Sequence, residues 1–280
     1  MTDIFQSIFL GIIQGASEFL PISSSGHLIL IPKIFGWKDQ GLAFDVALHW
    51  GTLFAVIAYF WNDWKNIIQN IHAPSTVKNM ANGVSYPLKI ISRIRNSTDL
   101  LLIIIMATLP GILSGILLND YAENYFRSPF LIACTLFIGA LLLAYSDRKG
   151  AKGLKISDIT MKTGLLIGIA QALAIIPGIS RSGITITAAL FLGLDRASAA
   201  RFSFLLSTPV ILGAGIKELP SLIKQGIGMD FIAGIAFAFL SGYLAIKYMI
   251  KYLNTNNYDI FVAYRIILAI FILIYFFNNL

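Results

Sequence analysis

The sequence predicts an all-α polytopic membrane protein with an inverted-topology repeat, each repeat a re-entrant helix hairpin plus three transmembrane helices. Three observations carry this. Of the 280 residues, 57% are hydrophobic and only 12% charged, where soluble domains have about 45–50% and about 25%. Six apolar stretches are long enough to cross a bilayer, which takes about 20 residues. Two further apolar regions are each interrupted by a polar turn, and the two turns match each other.

In chain order, residues 4–20 and 27–36 are short apolar arms around PISSSG (21–26). Residues 41–61, 99–118 and 129–146 then read as spans. Residues 161–176 and 184–194 are arms around PGISRSG (177–183), and 199–217, 230–250 and 259–277 are the last three spans. Proline, glycine and serine in series stop a helix. A broken backbone at membrane depth persists only where it is buried in protein or lines a wet cavity. Both broken regions therefore read as hairpins that turn back inside the membrane. The chain is one membrane domain over 1–280, and no cleavable signal peptide is expected, because the first segment lacks a basic start. The single cysteine, Cys134, lies in an apolar run and gives no disulfide framework.

GIIQGASEFLPISSSG (11–26) and GIAQALAIIPGISRSG (168–183) share Gly11/Gly168, Gln14/Gln171, Ile22/Ile179, Ser23/Ser180, Ser25/Ser182 and Gly26/Gly183. Every pair is 157 residues apart. Glutamine, serine and glycine in phase point to an internal duplication, with repeat one at about 1–147 and repeat two at about 158–280. A hairpin returns to its starting side and three spans do not, so the second repeat is inverted and the two hairpin tips can meet near the midplane.

The net charge of +7 follows membrane orientation rather than nucleic-acid binding. In this topology Lys65, Lys78, Lys89, Arg93, Arg95, Arg148, Lys149, Lys152, Lys155, Lys162, Arg196, Lys247 and Lys251 share one side. Lys33, Lys38, Arg127, Lys217 and Lys224 share the other. The first side is cytoplasmic by the positive-inside rule. The first hairpin then opens to the outer side, as does the site built on it.

Ionisable residues within the membrane are costly and point to function. Here they are Glu18, His27, Asp45, His49 and Arg181, with Arg201 and Arg265 less central. Arg181, flanked by Ser180 and Ser182 and followed by a helix start at Gly183, suits an anion rich in oxygens, because a guanidinium fork and a helix N-terminus both bind phosphate. Thr185 lies in that first turn and adds a hydroxyl. The first motif supplies hydroxyls from Ser23, Ser24 and Ser25, N–H groups near Gly26, and His27 as nucleophile, base or acid. Glu18, one turn from Gln14, is placed to orient the histidine, accept a proton or hold a divalent cation. Asp45 and His49, four apart on one helix face, are placed either to support the site residues or to contribute to metal binding.

With these residues assembled, the chain resembles the undecaprenyl-diphosphatase family, the bacitracin-resistance proteins. The matching segments are QGASEFLPISSSGH (14–27), FDVALHWGT (44–52), PGISRSGIT (177–185) and RFSFLLSTP (201–209). The resemblance implies a membrane phosphatase that hydrolyses undecaprenyl diphosphate to undecaprenyl phosphate and inorganic phosphate, recycling the lipid carrier of cell-wall synthesis in the bacterial plasma membrane. It implies catalytic roles for Glu18, Ser24, His27 and Arg181, phosphate contacts from Ser180 and Thr185, and a divalent cation, magnesium or calcium, with Glu18 as its candidate ligand. The chain departs from the family pattern at three places: Gln14 stands where many members are acidic, Asp45 where glutamate is common, and His49 where glutamine is common. The polyprenyl diphosphate and the bilayer are the expected partners, and a homo-oligomer stays open. The competing reading is an inverted-repeat transporter or flippase of a phosphorylated lipid, which would bind the same headgroup without cleaving it.

Overall fold

The computed structural model describes residues 3–38, 41–71, 88–118, 121, 125–150, 153–226 and 228–277. Side chains at 88–99 lie outside the described set, as do those of Leu42, Asn70, Ile71, Gln225 and Phe277. The loop charges Lys78, Lys89, Arg93, Arg95 and Lys152 therefore lie outside it too.

The protein is all-α and polytopic. Among the described residues eleven α-helices run in order: α1 Ile4–Phe19, α2 Ser24–Phe35, α3 Leu42–Tyr59, α4 Trp61–Ile71, α5 Leu88–Leu117, α6 Pro129–Lys149, α7 Met161–Ala172, α8 Arg181–Phe191, α9 Arg196–Gln225, α10 Met229–Leu253 and α11 Asp259–Phe277. A 3₁₀ turn, Leu173–Ile175, extends α7. Helix is what the composition demands, because a chain in hydrocarbon must satisfy its backbone polar groups internally. Local chemistry sets the ends. The carboxylate of Asp3 caps α1 by accepting from Phe5 N–H at 3.1 Å, and Gly36 closes α2 with a φ of 64°.

Among the described residues five helices are long and apolar enough to cross a membrane. The sixth expected span, 41–61, is α3, which bends by 70° into α4. The outward faces are greasy: Ile116, Leu117, Ile267 and Ile274 are all exposed. The two interrupted regions form helix–turn–helix units, α1–α2 and α7–α8, with every arm shorter than a span. The second arms start earlier than the helix starts expected near Gly26 and at Gly183, at Ser24 and Arg181. Serine caps, described below, hold the intervening residues helical.

Glycines seat the hairpins on the spans. α1 packs on α10, and α7 packs on α5. A Cβ at Gly11 would lie 2.3 Å from the carbonyl oxygen of Gly234, and a Cβ at its match, Gly168, 2.2 Å from that of Ala107. Small residues allow such backbone approach, which holds membrane helices together through van der Waals contact. Gly11→Ala is accordingly expected to destabilise the protein by about 1–3 kcal/mol through overpacking. Thermal unfolding in detergent should show a lower midpoint, and an unchanged midpoint would contradict the packing described.

A polar knot fixes α11. The Asp147 carboxylate accepts from Arg196 Nε at 2.5 Å and from Tyr258 N–H at 2.9 Å, and the Tyr258 hydroxyl donates to the Arg196 carbonyl at 3.1 Å. The C-terminus of α6 and the N-termini of α9 and α11 are thereby tied. Nearby, Asp195 caps α9 through Ser198 N–H at 2.7 Å and accepts from Lys155 Nζ at 2.6 Å. Partial burial pushes the Asp195 carboxyl up, but these hydrogen bonds outweigh it and hold the group below its usual range.

Candidate active site

The two turns share one unusual backbone. Ser23 (φ 74°) and Ser180 (φ 72°) are the only non-glycine residues with positive φ among the described residues. Such a conformation costs on the order of 1–3 kcal/mol and concentrates at functional sites. Each serine caps the helix that follows it: Ser23 Oγ accepts from Gly26 N–H at 3.3 Å, and Ser180 Oγ from Gly183 N–H at 3.1 Å. The first helical residues are then Ser24 and Arg181, again 157 positions apart. A hydroxyl and a guanidinium thus occupy equivalent places at two helix N-termini.

Both reach the same carboxylate. Glu18 on α1 accepts from Ser24 Oγ at 2.6 Å and from Gln14 Nε2 at 3.0 Å on Oε2, and from Arg181 Nη2 at 2.7 Å on Oε1. Arg181 Nη1 donates to the carbonyl of Ser203 on α9 at 3.0 Å, which holds the guanidinium plane. His49 on α3 completes the cluster, its Nε2 3.4 Å from Glu18 Oε2. Glu18 is only 6% exposed. A buried carboxylate that accepts from a hydroxyl and a guanidinium beside two helix N-termini is placed to receive the hydroxyl proton once a competing anion draws the guanidinium away.

The histidines separate. His27 Nδ1 lies 2.7 Å from the Ser23 carbonyl and His49 Nδ1 2.7 Å from the Asp45 carbonyl, so in both rings Nδ1 carries the proton. Each Nε2 then meets whatever helix lies opposite. For His49 that is Glu18, a contact that is attractive only when Nε2 is also protonated. For His27 it is the Tyr264 hydroxyl on α11 at 2.7 Å, with the rings stacked at 5.7 Å. The role of Glu18 in orienting a histidine, open for His27 from sequence, falls geometrically to His49. The Asp45–His49 pair is realised through the Asp45 backbone.

The remaining predicted residues lock the turns together. Ser23 Oγ also accepts from Gly178 N–H at 3.1 Å, and Ser182 Oγ donates to the Leu20 carbonyl at 3.1 Å. Ser25 and Ser182 lie 3.4 and 3.2 Å from the Ser23 and Ser180 hydroxyls. Thr185 Oγ1 lies 2.7 Å from Ser203 Oγ and donates back to the Arg181 carbonyl at 2.8 Å. Ser23, Ser180, Ser182 and Thr185 are all buried. Their hydroxyls shape the turns, and Ser24, Ser25 and Arg181 are the more open groups.

The family model of bacitracin resistance protein BacA matches residues 7–271. The chain belongs to the BacA family. Relatives include proteins named undecaprenyl-diphosphatase from Moorella thermoacetica, 46% identical over 95% of this chain and 95% of the relative, and from Pelotomaculum thermopropionicum, 42% identical over 97% and 96%. The protein of that name from Elusimicrobium minutum is 43% identical over 98% of each chain.

Three residues of this BacA-family site carry more than the sequence reading gave them. Ser203 and Tyr264 had no individual signal, being a common hydroxyl and an aromatic in apolar helices. Arg265 did, as an arginine within a span, yet nothing local tied it to the turns. Arg201, flagged on the same ground, instead pairs with Asp63 and lies 5.8 Å over the Phe60 ring.

Proposed function

We propose that this chain hydrolyses undecaprenyl diphosphate to undecaprenyl phosphate and inorganic phosphate at the meeting point of its two turns. The observation that carries this is the Ser24–Glu18–Arg181 constellation at two helix N-termini. The names of the relatives agree with it. Arg181 leaves Glu18 for the diphosphate and neutralises charge that builds up in the transition state. Ser24 Oγ attacks the terminal phosphorus as Glu18 Oε2 takes its proton. The bridging P–O bond breaks and undecaprenyl phosphate leaves with the electron pair. Water then attacks the phosphoserine, Ser24 Oγ leaves and regains the proton held by Glu18, and the hydrogens of water depart with inorganic phosphate. His27, held by Tyr264, has no described contact with Glu18 or Arg181, which supports Ser24 as the nucleophile.

The residues fit a divalent cation, magnesium or calcium, only in combination with substrate. Among the described residues no three His, Cys, Asp or Glu side chains are grouped to hold a metal. The buried Gln14 Oε1 lacks a hydrogen-bond partner, and its amide nitrogen is bonded to Glu18. Glu18 and Gln14 Oε1 would hold the cation with diphosphate oxygens, as magnesium is often held, and it would neutralise phosphate charge there.

The inverted duplication is supported by the matching serine caps and by the paired packing of α1 on α10 and α7 on α5. Placement in the bacterial plasma membrane follows from the lipid-carrier substrate of the family, and the opening of the site to the outer side is supported by the distribution of basic residues. The polyprenyl diphosphate is the substrate partner, and its tail would lie against the apolar outer helices.

Purified protein in detergent, with no second compartment, should release inorganic phosphate, and none would favour the flippase. With substrate labelled at the terminal phosphate, an acid quench should leave label on Ser24. A parallel alkaline quench that left label on His27, lost again on acidification, would overturn the serine assignment.

A further inference from the structure

Arg265, in the second turn of α11, is completely buried. Its guanidinium donates to backbone carbonyls alone among the described residues: Leu136 at 3.1 Å and Thr135 at 3.4 Å on α6, Pro21 at 3.2 Å in the first turn, and Gly178 at 2.9 Å and Ile179 at 3.0 Å in the second. Pro21 and Gly178 are themselves 157 positions apart. Each lies three residues before the helix-starting Ser24 or Arg181. One side chain thus grips equivalent carbonyls in both turns and braces them on a third helix.

The surroundings are shaped for this group. A Cβ at Gly139 would lie 2.0 Å from Arg265 Nη2, and one at Gly183 would lie 2.7 Å from Nη1. Glycine at position 183 of the second motif is thereby explained by the guanidinium beside it, and glycine at 139 lets the arginine reach the α6 backbone. Lysine is not equivalent. Its single nitrogen lacks the fixed fork of donors and cannot span carbonyls on both sides of the group.

We propose that Arg265 is a positioning residue, which fixes the separation of the two helix N-termini and so the distance from Ser24 Oγ to the phosphate held by Arg181. This rests on the phosphatase reading above. It predicts that loosening the clamp costs catalysis more than folding, because a misplacement of about 1 Å can cost about 10²-fold.

The test uses full-length protein in detergent, with undecaprenyl diphosphate as substrate and inorganic phosphate as competing inhibitor. Wild-type phosphate release first checks the phosphatase reading by itself. Arg265→Lys keeps the charge and loses the fork. Gly139→Ala displaces the guanidinium from a helix that carries no predicted catalytic or phosphate-binding residue. The expected result for both is folded protein, monodisperse by gel filtration, with kcat reduced about 10–100-fold. KM should rise, and inhibition by phosphate should weaken at least about threefold. A merely structural role would lower the active fraction and leave KM and phosphate inhibition unchanged. That outcome overturns the proposal, as do kcat/KM within about threefold of wild type for both variants, or absence of folded protein from both.

Discussion

Arg181→Ala is expected to reduce kcat/KM for the lipid diphosphate by about 10³-fold or more, and Arg181→Lys by about 10²-fold. An arginine that stabilises a transferring phosphoryl group is worth about 10³–10⁵ in rate. Lysine restores the charge without the two-pronged geometry by which Arg181 now holds Glu18 and the Ser203 carbonyl. The alanine variant also removes one partner of the buried Glu18–Arg181 pair, a change that costs about 3–5 kcal/mol. Lower stability then contributes to the loss. The double variant Arg181→Met/Glu18→Gln removes both charges and should recover the melting midpoint, but not the activity. Phosphate release by Arg181→Ala at a near-normal rate would remove the arginine from the mechanism.

Glu18→Gln carries the second large effect and an unusual sign. The amide keeps an acceptor for the Ser24 hydroxyl but cannot take its proton, so kcat should fall about 10²–10⁴-fold, the usual range for general base catalysis. Binding should move the other way. In the free protein Glu18 occupies Arg181 at 2.7 Å, and an incoming phosphate must displace it. Neutralising this internal competitor should tighten inhibition by inorganic phosphate without added metal. If a cation bridges Glu18 and the substrate, the same substitution should weaken phosphate inhibition when magnesium is present. The pair of titrations therefore reads both the base role and the metal. A kcat within about threefold of wild type would remove Glu18 from the chemistry.

Much of the architecture was legible because its signals are local. Span length follows from runs of apolar residues, as at 99–118, where α5 ends, and 129–146, which is α6. The breaks are written as Pro21 and Pro177 with their serines and glycines. The 157-residue offset identified Ser23 with Ser180, and the structure gives those two residues nearly the same φ. Each second arm begins at Ser24 or Arg181, ahead of the expected starts near Gly26 and at Gly183, because proline, glycine and serine argue against helix. A serine cap reverses that argument only in a specific conformation.

The assignment of the histidines was not legible for a related reason. His27 and His49 make the same bond to the carbonyl four residues back, so their own helices leave them equivalent. Only the neighbour across the interface separates them: Tyr264 for one and Glu18 for the other. Arg265 is a sharper case. It lies 244 residues from Pro21, and a guanidinium bonded to backbone carbonyls leaves no complementary side chain to look for.

The sequence alone determined the membrane setting, the broken helices, the two matching motifs 157 residues apart and the carboxylate, hydroxyl and guanidinium they carry, because hydropathy, helix-breaking chemistry and spacing are properties of consecutive residues. Tertiary structure alone decided which of these groups meet. Contact between Glu18, Ser24, Arg181 and His49, and the clamp at Arg265, depend on how helices distant in the chain are rotated and seated against one another. Glycines such as Gly11, Gly139 and Gly183 set that seating by the absence of a side chain.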